Sequence, residues 1–200
     1  MDVLDIIRRR YAAKEFNSEK VDDNQINYIL ESIRLAPSSY NLQPWSIIVV
    51  SDQKIKEQLY EYSYRQRQII TASDIFVFLT DLNIDRILNE LKAARLDYGD
   101  DPNRVDQYIS KLRAELSTKS REQLRSYLEH QTYIALGFAM LAAESLGIAS
   151  CPMGGFEERG YRAVLGIEED YAITVLLAIG YVTDRRDKKI RKQRVLLRRV

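Results

Sequence analysis

The chain is poor in the residues that most often carry covalent or metal chemistry. Of its 200 residues one is cysteine, Cys151, and one is histidine, His130. A single cysteine excludes an intrachain disulfide framework and fits a reducing compartment, and a single histidine excludes a histidine cluster for a metal. No run is long and apolar enough to span a bilayer, and Met1 to Asp5 carries acids where a signal peptide would be apolar. These absences predict a cytoplasmic protein without membrane attachment. Proline and glycine are scarce, at four and eight residues, so each marks a particular place. Net charge is almost absent at +1, but its distribution is uneven. Nine of the 30 basic residues and one of the 29 acidic ones fall in 185–200, leaving 21 basic against 28 acidic residues in the body. A basic arm can bind nucleic acid, an anionic cofactor or an acidic surface. Val195, Leu196, Leu197 and Val200 within it look like anchors against protein, which makes nucleic acid the weakest of the three.

The content that remains, 46% hydrophobic and 30% charged, suits one globular domain with a sizeable core, or two small ones at most. Val3, Leu4, Ile6 and Ile7 share one face of a short helix that ends in Arg8, Arg9 and Arg10. Asp22 and Asp23 can open a helix with an apolar stripe of Ile26, Ile29, Leu30, Ile33 and Leu35. Trp45–Val50, Ile75–Thr80 and Tyr171–Tyr181 read as strands, the last two apolar enough to be buried on both faces. Asp52 can cap a helix containing Ile55 and Leu59. Residues 83–127 have a charged helical pattern broken at Tyr98–Asn103, predicting two surface helices. From about Glu122 to Leu146 a long helix becomes apolar nearly all round after His130 and Gln131, as expected for a central or subunit-interface helix. Ile148–Cys151 reads as a short strand and Glu157–Leu165 as a short helix.

Four places could carry chemistry. Arg10 and Lys14 stand four apart around a small-residue turn and could serve one anion, or could be solvated charge at a helix C-terminus. Pro37 and Pro44 bracket Ser38, Ser39, Asn41 and Gln43 in a stiffened loop, which is either a capping turn or a ligand loop. Gly154 and Gly155, the only adjacent glycines, could admit a flat or anionic ligand to the backbone, or could form a tight turn. Lys192 and Arg194 add charge from the tail. His130 reads as a packed or surface side chain.

Taken together, Arg-Arg-Tyr-Ala-Ala-Lys-Glu-Phe (9–16), Pro-Ser-Ser-Tyr-Asn-Leu-Gln-Pro-Trp (37–45), Cys-Pro-Met-Gly-Gly-Phe (151–156) and Lys-Gln-Arg (192–194) resemble the nitroreductase family of FMN-dependent NAD(P)H oxidoreductases in order and spacing along nearly the whole chain. The resemblance implies an α+β fold, with a central, mainly antiparallel sheet surrounded by helices, in one FMN-binding domain over 1–200. It implies an intertwined homodimer in which 185–200 form a basic C-terminal extension reaching the partner subunit. Arg9, Arg10, Tyr11, Ala12 and Lys14 would then lie along the flavin, Arg10 and Lys14 beside its pyrimidine edge and ribityl chain, with Lys192 and Arg194 at the phosphate. Pro37, Ser38, Ser39 and Asn41 would come from the second subunit. Gln131 would lie near the ring, Arg65 and Gln68 beside its edge, and Pro152, Met153, Gly154 and Gly155 over it.

The implied activity is hydride transfer from NADH or NADPH through FMN to a nitroaromatic, quinone or similar small-molecule acceptor, by a ping-pong mechanism. The alternative is a non-catalytic flavin-binding or redox-sensing protein with the same pocket. No Gly-x-Gly-x-x-Gly follows a strand, so the nicotinamide donor would be held without a Rossmann domain. Three positions depart from the family pattern. Ala12 stands where many relatives have Ser, Arg65 where an Asn contacting flavin is usual, and Gly154 where the nitroaromatic-reducing branch has Glu. The last predicts a roomier acceptor side.

Overall fold

The computed structural model describes residues 2–183 and 189–191. Lys192, Arg194 and most of the basic arm therefore lie outside the described residues. Among those described, four strands form one antiparallel sheet in the order β1-β2-β4-β3, with β1 Trp45–Val50, β2 Asp74–Asp81, β3 Ala149–Met153 and β4 Tyr171–Gly180. The expected α+β architecture with an antiparallel sheet among helices is present. β2 is buried at every position, which explains why its sequence is almost continuously apolar. β3 extends two residues past the expected end and includes Pro152. A proline, which cannot donate to a ladder, is tolerated there because β3 is an outer strand.

Each face of the sheet carries its own core. On one face Ile75, Val77, Leu79, Leu176 and Ala178 pack with Leu59 of α3 (Gln53–Glu61), Ile69 of α4 (Arg67–Thr71) and Tyr161 of α8 (Glu158–Leu165). On the other, Phe76, Phe78, Val175, Leu177 and Ile179 pack with α2 (Asp23–Arg34) and α7 (Arg121–Ser145). A bulge at Thr174, between the pairs Phe78–Val175 and Leu79–Ile173, switches the parity of β4, so that Ile173 and Val175 face opposite cores. The caps follow the sequence. Asp22 accepts from Asn24 N and Gln25 completes a capping box, and Asp52 accepts from Ile55 N.

Two expectations need revision. Leu35 does not join the α2 stripe: it follows the last helical residue and is 62% exposed. α5 (Ile84–Asp97) and α6 (Pro102–Leu116) are more than surface helices, because Ile87, Leu88 and Leu91 pack against Val105, Ile109, Leu112 and Leu116 in a third core that Leu128 joins. The apolar face of α1 (Val3–Arg9) is exposed, at 59% for Val3 and 54% for Leu4. Among the described residues no helix is long and apolar enough to cross a membrane.

Candidate functional site

The predicted site residues fall into two groups at opposite edges of the sheet. β1 and β3 are the outer strands, about 14 Å apart at three strand spacings. The register Trp45–Thr80 and Thr80–Ala172 places the entry to β1 at the end of the sheet toward which β3 runs.

At the β3 edge the chain after α1 crosses alongside the strand. Ala12 bridges Ser150 in parallel, and Ala13 N donates to Ser150 O at 3.2 Å. In that register 10–14 runs alongside 148–152, with Lys14 at the end from which the chain continues to Met153, Gly154 and Gly155. Lys14 Nζ donates to Cys151 Sγ at 3.8 Å. Gln68, 4% exposed, directs Nε2 to the same sulfur at 4.0 Å and to Gln66 Oε1 at 3.2 Å. Burial pushes the Cys151 thiol up, against the opposing pull of Lys14 and Arg10, so the sulfur is a neutral floor to this cluster. Arg10 is the least satisfied member. Its Nη1 is buried without a hydrogen-bond partner among the described residues. Burial and then the charge of Arg191 lower its pKa, partly offset by Glu144 and Cys151. A desolvated guanidinium with a free N–H favours an anion.

Gly154 is exposed, and a Cβ there would meet nothing within 4 Å. Gly155 lies against Tyr64 and Gln66, the latter donating to its carbonyl at 2.8 Å. Two predicted residues are otherwise engaged. Arg9 Nε bonds Glu144 Oε1 at 3.3 Å, fastening α1 to α7 through a carboxylate 1% exposed. Arg65 bonds Glu61 Oε2 at 2.8 Å and is 72% exposed, so it is held at the surface where the family pattern puts an Asn on the flavin.

At the β1 edge, Pro37, Ser38, Ser39 and Asn41 form a loop held by one internal bond and by bonds to α6 and α7. Ser39 N donates to Gln131 Oε1 at 2.9 Å, Gln43 N to Ser38 Oγ at 2.9 Å, and Tyr40 OH to Glu115 Oε1 at 2.7 Å. Three of its non-glycine residues, Tyr40, Asn41 and Gln43, have left-handed backbone, with φ of 56°, 58° and 43°. Such backbone is kept only where the surroundings over-determine it. Gln131, expected near the ligand, is the residue that reaches from α7 to hold this loop. Sequence reasoning passed over Gln66 and Glu144. Their partners lie 89 and 135 residues away, and no local pattern signals either pairing.

Comparison with known proteins gives a coherent result. A model described as the Nitroreductase family matches residues 7–181. A Bacillus subtilis (strain 168) protein provisionally named NAD(P)H nitroreductase YfkO is 35% identical, over 93% of this chain and 91% of its own. A Thermus thermophilus protein named NADH dehydrogenase is 28% identical, over 90% and 87%. Among solved structures, a provisionally assigned nitroreductase from Exiguobacterium sibiricum in complex with FMN superposes with a TM-score of 0.87 at 25% identity, covering 96% of this chain and 93% of that one.

Proposed function

The chain belongs to the nitroreductase family, and on that premise we propose that two copies of it hold FMN between them and transfer hydride from NADH or NADPH to a small-molecule acceptor, a nitroaromatic, quinone or similar compound, in ping-pong fashion. When bound, the flavin supplies the two-electron redox chemistry. Every other task falls to the chain's own residues. The observation that carries the reading is the buried Nη1 of Arg10 at the β3 edge, without a partner among the described residues. A flavin offers it two kinds of negative charge, the phosphate and the pyrimidine side that becomes anionic on reduction. Lys14, four residues on, would stabilise the same charge and favour hydride acceptance. Lys192 and Arg194 would add to the phosphate site from the tail. Gly154 and Gly155 would present backbone amides to the hydride-accepting edge, and the space around Gly154 leaves room above for donor and acceptor in turn.

The separation of the two edges supports the second copy. Pro37, Ser38, Ser39 and Asn41 of one protomer would face Arg10, Lys14 and the glycine turn of its partner. Surfaces for the pairing exist. Val3 and Leu4 of α1 are exposed beside α7, where Tyr133, Ile134 and Phe138 are 47%, 40% and 40% exposed, an apolar area that a second copy would cover. β1 is an outer strand, bordered by a cavity of ≈ 360 Å³ lined in part by Leu30, Ile33, Trp45, Ile47 and Leu91. The arm over 185–200, most of which lies outside the described residues, would be an extension of one domain over 1–200 that reaches the partner subunit. We place the enzyme in the cytoplasm, on the composition of its sequence.

The test is an anaerobic visible absorption spectrum of the purified protein, before and after addition of NADPH and then NADH. An oxidised-flavin spectrum bleached by either donor, with repeated turnover once a quinone is added, is the expected result. A flavin spectrum that neither donor bleaches overturns the enzymatic reading, and a colourless protein that takes up no FMN overturns the cofactor.

A further inference from the structure

The loop between α3 and α4 breaks two local rules at once. Tyr64 and Arg65 are consecutive non-glycine residues in the left-handed region, with φ of 50° and 53°, a costly backbone that must be held from outside. Gln66 then takes the position just before α4, where a short Ser, Thr, Asp or Asn would cap the helix, and its side chain makes no capping bond. The amide is used elsewhere. Nε2 donates to Gly155 O at 2.8 Å, and Oε1 accepts from Gln68 Nε2 at 3.2 Å. Gln68 in turn lies 4.0 Å from Cys151 Sγ, which Lys14 Nζ reaches at 3.8 Å. A continuous polar line therefore runs from Lys14 through Cys151, Gln68 and Gln66 to the carbonyl of Gly155.

The rest of the loop is gripped as firmly. Ser63 Oγ and Tyr161 OH are 2.7 Å apart in the interior, and Glu157 N donates to Tyr62 O at 2.8 Å. A Cβ at Gly160 would collide with the Tyr62 ring, so glycine is what lets that ring seat on α8. The strained loop is thus fastened to the segment that follows β3 at both ends. Gly154 is exposed, with nothing among the described residues within 4 Å of a Cβ there, and a glycine backbone is the freest in the chain, so the turn's anchorage comes from the loop that meets Gly155.

We propose that Gln66 is a positioning residue of the flavin site: its Nε2–H clamps the carbonyl of Gly155, fixing the Gly155–Phe156 peptide and through it holding the Gly154-Gly155 turn against the hydride-accepting edge of the ring. The proposal rests on the flavin reading above. A turn free to swing would bind flavin nearly as well, but would misplace the donors that must meet the ring at the moment of hydride transfer. Errors of this kind appear in the chemical rate more than in binding.

The experiment compares wild-type, Gln66→Glu and Gln66→Met proteins loaded with FMN. Glu keeps the length and the acceptor for Gln68 but has no N–H for Gly155. Met removes both bonds and introduces no charge. Anaerobic stopped-flow reduction by NADPH or NADH gives the limiting rate and the half-saturating donor concentration, and thermal melting gives stability. The expected result is a limiting rate about tenfold or more lower in both variants, with half-saturation, FMN affinity and melting temperature little changed. Unchanged limiting rates in FMN-loaded Gln66→Glu and Gln66→Met overturn the clamp. So does a loss of rate that tracks an equal loss of stability in both. A wild-type protein that takes up no FMN overturns the flavin reading itself, a result distinct from the other two.

Discussion

The two edges of the sheet solve opposite problems. At the β1 edge the loop from Pro37 to Trp45 is electrically neutral, carries left-handed backbone at Tyr40, Asn41 and Gln43, and is held by hydrogen bonds to Ser38 within it and to Gln131 and Glu115 from α7 and α6. At the β3 edge the side chains are cationic, and Arg10 keeps a buried nitrogen without a partner among the described residues. The first group stores strain and satisfies its polar atoms. The second stores an unsatisfied charge. A ligand gains most of its affinity where a charge waits for it and most of its geometry where a loop has been fixed beforehand. The two edges should therefore respond differently to mutation.

The largest effect expected concerns their separation. If each site joins the β3 edge of one copy to the β1 edge of another, an Arg10→Ala/Lys14→Ala chain and a Ser38→Ala/Asn41→Ala chain should each be nearly inactive. Co-folded in equal amounts, they should recover about one quarter of wild-type sites, because half of the dimers are mixed and each mixed dimer has one intact site. The readout is bound FMN per chain together with quinone turnover. No recovery in mixed dimers would mean that a single chain builds its own site, and the comparison would collapse.

Next in size is Arg10 alone. Arg10→Ala should weaken FMN binding by about 1.5–3 kcal/mol, roughly ten- to hundredfold in Kd, through loss of a charge-assisted bond. The flavin-free protein should melt no lower than wild type, since the residue removed is a desolvated cation. Fluorescence titration and melting without FMN check both halves. A lower melting point with unchanged FMN affinity would make Arg10 a structural residue.

Gln131→Leu should do the reverse. Removing the acceptor leaves Ser39 N without its 2.9 Å partner in a strained loop, which should cost about 1–3 kcal/mol of stability. Denaturant unfolding of the flavin-free protein measures it. FMN affinity should fall less than in Arg10→Ala, and only as far as the loop loses its shape. An affinity loss as large as that of Arg10→Ala, with stability intact, would place Gln131 on the ligand instead.

Much of this division was legible in the sequence, and the part that was not has a physical cause. β2 announced itself by six consecutive apolar or β-branched positions, Asp22 and Asp52 by their capping chemistry, and α7 by an apolar run too long for a strand. The cationic pair and the proline-flanked loop were visible as motifs. What the motifs could not give was the strand order, because pairing depends on contacts far apart in the chain. Without that order, the two groups cannot be assigned to opposite edges. α4 has five residues and no period to read. Arg9 looked like a cofactor contact, although its carboxylate partner Glu144 lies 135 residues on. The apolar face of α1 was legible, but not what covers it; in one chain it faces solvent, and a pattern of hydrophobicity does not distinguish a chain's own core from a partner's surface.

The smallest expected effect tests whether the strained loop against the β3 edge is held by the polar grip beneath it. Tyr161 is fully buried, its hydroxyl 2.7 Å from Ser63 Oγ, and Ser63 Oγ donates to Leu59 O at 2.7 Å. Tyr161→Phe keeps the ring and its packing against Phe156, so only the hydroxyl bond is lost, at about 0.5–1.5 kcal/mol near neutral pH. Burial pushes the Tyr161 phenol up to about 12, against an ordinary value of 10.0. The folded state therefore prefers the neutral phenol. The associated stability is fully present below pH 10 and is lost as pH rises from about 10 towards 12, where the unfolded chain gives up a proton that the folded one keeps. Wild type should accordingly lose stability more steeply than Tyr161→Phe across that interval, and the gap between the two proteins should narrow as pH rises. Parallel unfolding curves above pH 10 would mean that the phenol is not shielded as its burial indicates. The loop bearing Gln66 would then lean on Gly160 and Glu157 alone for its hold on the glycine turn.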